Sequence, residues 1–159
     1  MVYSLQKVAV SNMNKINTIL KRLSLATVLS FMSIYSYANS SQCMAKAIYF
    51  ESRGGSEKDQ LAVGHTIQNR VKSGSFPNSV CSVVRQRSQF SPHIRSGSSI
   101  KEPKAYENAL RYAKQVISGN SKDFTNGATY FHTPAVNPNW SRKFRRVYTN
   151  GQHYFYKPK

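Results

Sequence analysis

Acids are few in this chain: 6 Asp and Glu against 23 Lys and Arg, a formal net charge of +17 over 159 residues. So few carboxylates leave little from which to build a calcium site. Cysteine is scarcer still, and Cys43 and Cys81, the two present, lack CxxC spacing, which argues against a thiolate metal site. His65, His93, His132 and His153 show no HxxxH or HxxE spacing, so a metal-dependent amidase has no ligand motif here. No metal and no cofactor is expected. The chain also lacks internal repeats and low-complexity tracts.

What is present begins with the charge. A balance this basic points to a polyanionic partner: nucleic acid, an anionic membrane surface, or an anionic cell wall. The N-terminus favours the wall. Residues 1–22 contain Lys7, Lys15, Lys21 and Arg22 and no acid, and Leu23 to Ala38 is uncharged and largely apolar. Ser36-Tyr37-Ala38 closes the run with small residues where a signal peptidase reads them. Residues 1–38 therefore read as a secretory signal, with Met13 as an alternative start. The other reading is a membrane anchor of about 20 residues, since no charge occurs from Leu23 through Ala45. The polar run Asn39-Ser40-Ser41-Gln42 argues for cleavage, with no stable membrane insertion afterwards.

Export leaves residues 39–159 as one domain, large enough for a genuine core. Removing the signal takes away four of the basic residues and no acid, so the net charge falls from +17 to +13. An exported protein meets little nucleic acid but does meet peptidoglycan and anionic envelope polymers, in the periplasm or outside the cell. The same oxidising compartment favours a Cys43–Cys81 disulfide. Closing a loop of that size stabilises a fold by roughly 4 kcal/mol in the chain-entropy model.

Along the exported part, a helix is expected from Gln42 to Ser52 with Ser40 or Ser41 as N-cap. Ser56-Glu57-Lys58-Asp59 has capping-box spacing and opens a second helix to Lys72. Its apolar stripe is Val63, Ile67 and Val71, and Gly64 allows close approach of a neighbour. Ser79 to Gln86 reads as a short helix, Arg87 to Pro103 as a long polar loop, and Lys104 to Ser118 as a helix opened by Pro103. The period then changes. Ala128 to His132 reads as a strand, and Asn150-Gly151 signals a hairpin between Arg146–Thr149 and Gln152–Tyr156. Helices first and a small antiparallel sheet last argue an α+β fold.

The stretch with chemical content is Ala45 to Arg53. Met44, Ile48 and Glu51 fall at i, i+4 and i+7, which puts Glu51 on the apolar face of the first helix. Gly54-Gly55 would supply the left-handed geometry that ends it. A carboxyl there loses hydration, so its pKa rises, as a general acid requires. The alternative is a solvated last-turn residue paired with Arg53 or Lys46.

Seven segments then occur together: Ala47-Ile48-Tyr49-Phe50-Glu51-Ser52-Arg53-Gly54; Ala62-Val63 leading to Asn69-Arg70-Val71; Phe76-Pro77 with Val80-Cys81; Gln89-Phe90-Ser91; Gly127 to His132; Pro138 with Trp140; and Gly151 to Tyr156. In this order they resemble the catalytic domain of the SleB/CwlJ type cell-wall hydrolases, over residues 43 to 156. The resemblance implies a lysozyme-like fold that cuts peptidoglycan between N-acetylmuramic acid and N-acetylglucosamine by lytic transglycosylation. It makes Glu51 the essential acid, which protonates the glycosidic oxygen and then deprotonates the muramic 6-hydroxyl to close a 1,6-anhydro ring. One carboxyl suffices, where ordinary glycosidases use two.

Around that acid, Gln89, Tyr130, His132 and Trp140 are the candidates for substrate contact, and Arg53, His153 and Tyr156 for support. Asn69 and Arg70 read as pins between the second helix and the first. Ser52, Gly55 and Pro92 depart from the family pattern. No wall-binding domain of the spore-enzyme kind is recognised, and the +13 charge is expected to take its place. A monomer is expected. The rival readings are a non-catalytic basic wall-binding module, the metal-dependent amidase, and a nucleic-acid binder using Tyr148, Tyr154 and Tyr156.

Overall fold

The computed structural model describes residues 32–33, 35–94 and 96–159, and the chain divides into two units, 1–37 and 38–159. In the first unit residues 32–33 and 35–37 are helical; the rest of the expected signal sequence lies outside the described residues. No described helix is long and apolar enough to cross a membrane. The second unit contains helix α1 over residues 38–52, α2 (Glu57–Lys72), α3 (Val80–Arg85) and α4 (Pro103–Ser118). Strands β1 (Tyr130–His132), β2 (Arg145–Thr149) and β3 (Tyr154–Lys157) follow. This is the expected α+β order.

Local chemistry sets the boundaries. Ser56 and Asp59 form a complete capping box at the start of α2. Pro103 occupies the first turn of α4, and Gly119 ends that helix at φ 80°, a left-handed geometry suited to glycine. At α1 two expectations change. Residues 38–41 are already helical and Ser41 is buried, so neither Ser40 nor Ser41 caps a helix starting at Gln42. Neither Gly54 nor Gly55 has a positive φ; α1 ends instead in a turn in which the Gly55 N–H donates to the Ser52 carbonyl at 2.9 Å.

The core lies between α1, α2 and α4. Met44, Ala45, Ile48 and Tyr49 from α1 meet Val63 and Ile67 from α2, and Ala109, Ala113 and Val116 from α4, all buried. Gly64 is where the three helices come closest. A Cβ there would lie 3.2 Å from Val116 Cγ2, 3.3 Å from Ile48 Cδ1 and 3.5 Å from Met44 Sδ. The Cys43–Cys81 disulfide ties α1 to α3 across 38 residues of sequence.

The sheet has the order β1-β3-β2, antiparallel throughout. Tyr130 pairs with Tyr156, Phe131 with Phe155 and His132 with Tyr154. That register sends Tyr130, His132, Tyr154 and Tyr156 to one face, and Phe131 and Phe155 to the other, where Phe155 packs with Ala62 of α2. β2 carries an irregularity between Arg146 and Tyr148. The hairpin turn is longer than a two-residue Asn-Gly loop. Asn150 Oδ1 accepts from the N–H groups of Gln152 and His153, so the side chain organises the turn and Gly151 keeps a negative φ.

Candidate active site

Glu51 sits in the last turn of α1, half-buried, one turn beyond the fully buried Ile48. The core side of the helix continues to its end, so the carboxyl faces inward, not toward Arg53 or Lys46. Its Oε1 accepts a 2.6 Å hydrogen bond from the Ser91 backbone N–H. Burial pushes the Glu51 pKa up; the Ser91 bond and the positive charge of Arg70 pull it down, and burial prevails. A carboxyl so placed holds its proton to higher pH than an exposed glutamate.

Arg70, near the end of α2, is 2% exposed. Its Nε donates to the Thr129 carbonyl at 2.6 Å, beside β1. The guanidinium lies over the rings of Phe76, Phe90 and Tyr130, at 5.0, 5.0 and 5.7 Å from their centroids. Burial lowers its pKa to about 10, with Tyr130 and Glu51 acting in the opposite direction. Asn69 beside it donates to Asp123 Oδ2 at 2.9 Å and to the Ala128 carbonyl at 3.1 Å. Both residues therefore tie α2 to the segment leading into the sheet, which corrects their expected role as pins to α1. Their hydrogen bonds go from the end of α2 to the segment before β1, and Arg70 reaches α1 only through its charge on Glu51.

Of the other candidates, Tyr130, His132, Trp140 and Tyr156 come together on the outer sheet face. Trp140, in a short 3₁₀ turn before β2, lies 5.3, 5.5 and 5.4 Å from the rings of Tyr130, His132 and Tyr156. His132 is buried, with Nδ1 2.8 Å from the Thr133 carbonyl and Nε2 3.0 Å from the Tyr156 hydroxyl. A carbonyl can only accept, so Nδ1 carries the proton and Nε2 accepts from Tyr156. Tyr130 joins this group to Arg70, and Arg70 to Glu51. Gln89 is half-buried in the loop after α3, two residues before the Ser91 amide.

Arg53 and His153 lie elsewhere. Arg53 Nε pairs with Glu102 Oε1 at 2.7 Å and its guanidinium covers the Tyr49 ring, bracing the end of α1 against the start of α4. His153 is buried against Phe131 and Phe155, and its burial lowers its pKa. Arg53 also lines a cavity of about 490 Å³ with Tyr49, Phe50, His93, Ser98, Ser99 and Lys101. Glu51 is not in that lining; the cavity opens on the Phe50 and Arg53 side of the helix end.

Residues 54–156 match the cell wall hydrolase family. The spore cortex-lytic enzyme of Bacillus cereus is 34% identical over 122 residues, 75% of this chain but 44% of that protein. That of Bacillus subtilis is 31% identical over 121 residues, 74% of this chain and 37% of its own. The crystal structure of the catalytic domain of Bacillus cereus SleB superposes with a TM-score of 0.65 at 34% identity, covering 76% of this chain and 91% of that one. The catalytic domain of the germination-specific lytic transglycosylase SleB from Bacillus anthracis gives the same TM-score and identity, over 75% and 94%. The chain belongs to the cell wall hydrolase family. It spans less than half the length of these curated relatives, and most of their catalytic domains.

Two positions singled out in the sequence, Gly55 and Ser52, have local reasons for their residue types. A Cβ at Gly55 would lie 2.6 Å from Gln152 Oε1 and 2.8 Å from Asp59 Cβ, so an acidic side chain there would meet the capping carboxylate itself. Ser52 is buried, and its hydroxyl donates to the Ile48 carbonyl at 3.0 Å, which satisfies it within the helix. Sequence reasoning missed the two groups that touch Glu51 electrically. A backbone amide such as Ser91's leaves no trace in side-chain identity. Arg70 offered one signal, a cation on the otherwise buried run of α2, but its direction across the fold was not legible.

Proposed function

We propose that this cell wall hydrolase cleaves the glycan strand of peptidoglycan between N-acetylmuramic acid and N-acetylglucosamine as a lytic transglycosylase, with Glu51 as its acid and base. The observation that carries the reading is the half-buried Glu51 carboxyl, whose pKa burial raises, while the other acids lie or are engaged elsewhere. Asp59 caps α2, Asp123 binds Thr125 and Asn69, Glu102 pairs with Arg53, and Glu57 accepts from the Tyr112 hydroxyl. Glu107 is exposed on α4. A water-activating second carboxylate beside Glu51 therefore has no candidate among these contacts.

In this mechanism the Glu51 carboxyl passes its proton to the glycosidic oxygen as the C1–O bond breaks. The resulting carboxylate takes the proton of the muramic 6-hydroxyl, and that oxygen bonds to C1, closing the 1,6-anhydro ring and restoring the acid. Tyr130, His132 and Trp140, with Gln89 from the loop, are the proposed contacts with the sugar chain, Trp140 by stacking. Tyr156 supports them through His132 and Trp140, while Arg53 braces the end of the Glu51 helix and His153 packs on the other sheet face with Phe131. The relatives named spore cortex-lytic enzymes and a lytic transglycosylase agree with this chemistry. Residues 1–38 are proposed to direct export, and the basic surface to hold the enzyme on the anionic wall.

The test is mass spectrometry of the muropeptides released from purified sacculi, with Glu51→Gln in parallel. Anhydromuramic ends from the wild type, absent with the variant, are expected. Reducing ends would require a water-activating partner and remove the transglycosylase step. No release by the wild type would leave a wall-binding module.

A further inference from the structure

Arg70 is a buried cation without a buried anion to hold it. Among the described residues the ion pair formed is Arg53–Glu102, so Arg70 makes none. Its Nε is used by Thr129, but Nη1 is buried with no hydrogen-bond partner. Burying a guanidinium with an unused donor is costly, and anchoring Thr129 alone does not explain it, because a neutral amide could make that bond. Three aromatic rings recover part of the cost and also fix the group in place.

We propose that Arg70 is a positioning residue that acts on the reaction through Glu51. Its guanidinium is the fixed counter-charge that the Glu51 carboxylate meets once the proton has passed to the substrate. This rests on Glu51 being the acid and base. The two halves of that reaction make opposite demands: a carboxyl that holds its proton before cleavage, and a carboxylate that survives in a water-poor site after it. Burial supplies the first. A rigid cation near the carboxylate supplies the second without reorganisation during the reaction. The Ser91 amide binds Glu51 at 2.6 Å, and the preceding residue, Phe90, carries the Arg70 guanidinium 5.0 Å from its ring centroid. This sets the cation close to the acid without direct contact, and its charge acts on Glu51. Arg70 is faced by Tyr130 from β1 and by Glu51. Tyr130, proposed to touch the sugar, thus packs on the same guanidinium that faces the acid.

The test is the pH dependence of muropeptide release from sacculi by Arg70→Gln and Arg70→Lys. Gln keeps a donor for the Thr129 carbonyl and removes the charge; Lys keeps the charge. General acid catalysis needs protonated Glu51, so the alkaline limb of the profile follows its ionisation. Arg70→Gln is expected to slow release about tenfold or more and to move that limb to higher pH. Arg70→Lys should return the limb to its wild-type position. A folded Arg70→Gln protein whose limb stays where the wild type has it overturns the proposal.

Should that variant not fold, NMR of the wild type decides instead. The Arg70 guanidinium resonances are expected to shift with the same midpoint as the Glu51 carboxyl carbon, and resonances flat across that titration overturn the coupling. If Glu51→Gln proves fully active, the reading of Glu51 itself fails, whatever Arg70 does. An inactive Glu51→Gln with an unmoved limb in Arg70→Gln defeats only the role given to Arg70.

Discussion

Glu51 and Asp123 are both carboxylic acids withdrawn from water, and the fold treats them in opposite ways. Asp123 accepts from the Thr125 N–H at 2.8 Å, the Thr125 hydroxyl at 2.7 Å, the Asn69 amide at 2.9 Å and the Gly127 N–H at 3.2 Å. Burial pushes its pKa up, but the bonds from Thr125 and Asn69 outweigh that and leave it below the usual value. Glu51 has the single amide of Ser91 and a cation that is not in contact, and its pKa rises. Burial by itself therefore does not decide the state of a carboxyl; the number of donors aimed at it does. Asp123 is built to stay charged and hold a turn. Glu51 is left short of donors, which suits the role of acid proposed for it.

The largest effect expected from breaking this contrast is at Glu51. Glu51→Gln should lower release from sacculi about a thousandfold, the scale of a lost general acid. The same change should raise stability at neutral pH. With a folded pKa above 4.5, the carboxyl penalises folding increasingly as the pH rises from 4.5 to its folded value, fully above that value, and not at all well below 4.5. Thermal unfolding should thus show Glu51→Gln melting a few degrees above the wild type at pH 8, with the gap closing toward pH 4. A variant less stable than the wild type at pH 8 would mean that the carboxylate is well solvated, against the buried reading.

Asp123 should behave in reverse. Asp123→Ala strands the Asn69 amide and the two N–H groups, at a cost of about 2–3 kcal/mol. Its folded pKa lies below 3.8, so its contribution is complete above 3.8 and disappears as pH falls through the folded value. Stabilities of wild type and Asp123→Asn from denaturant titrations should therefore converge in strong acid and be fully separated above about pH 4. Parallel curves across that range would show that the turn does not depend on the charge.

Sequence reading located Glu51 because helical phase and a run of side-chain identities both led to it. It found the Ser56–Asp59 cap, the close packing at Gly64 and the pairing of Cys43 with Cys81 for the same reason: each is written in residue type and spacing. The strand read from Ala128 to His132 carries the same kind of local information, since alternation puts Tyr130 and His132 on the face opposite Phe131. It misread the end of α1 because Gly54 and Gly55 suggested a left-handed cap, whereas Gly55 answers to Asp59 and Gln152, the latter nearly a hundred positions away. Arg70 and Asn69 were assigned to the wrong neighbour because a long side chain at a helix end can turn toward either partner, and only the folded chain selects one. Half of the donors on Asp123, and the one that binds Glu51, are backbone N–H groups, which any residue except proline supplies.

That last point can be tested with the mildest substitution at the site. The contact to Glu51 comes from the Ser91 N–H, and alanine keeps that N–H. Ser91→Ala should therefore leave the rate within about twofold, change stability by no more than about 0.5 kcal/mol, and leave the alkaline limb of the profile unmoved. The hydroxyl at position 91 would then be incidental to the chemistry. A loss of activity in a folded Ser91→Ala protein would instead bring the hydroxyl into the cleft as a substrate contact. Glu51 would then have a second polar neighbour, and the contrast with Asp123 would rest on Arg70 more than on the number of donors.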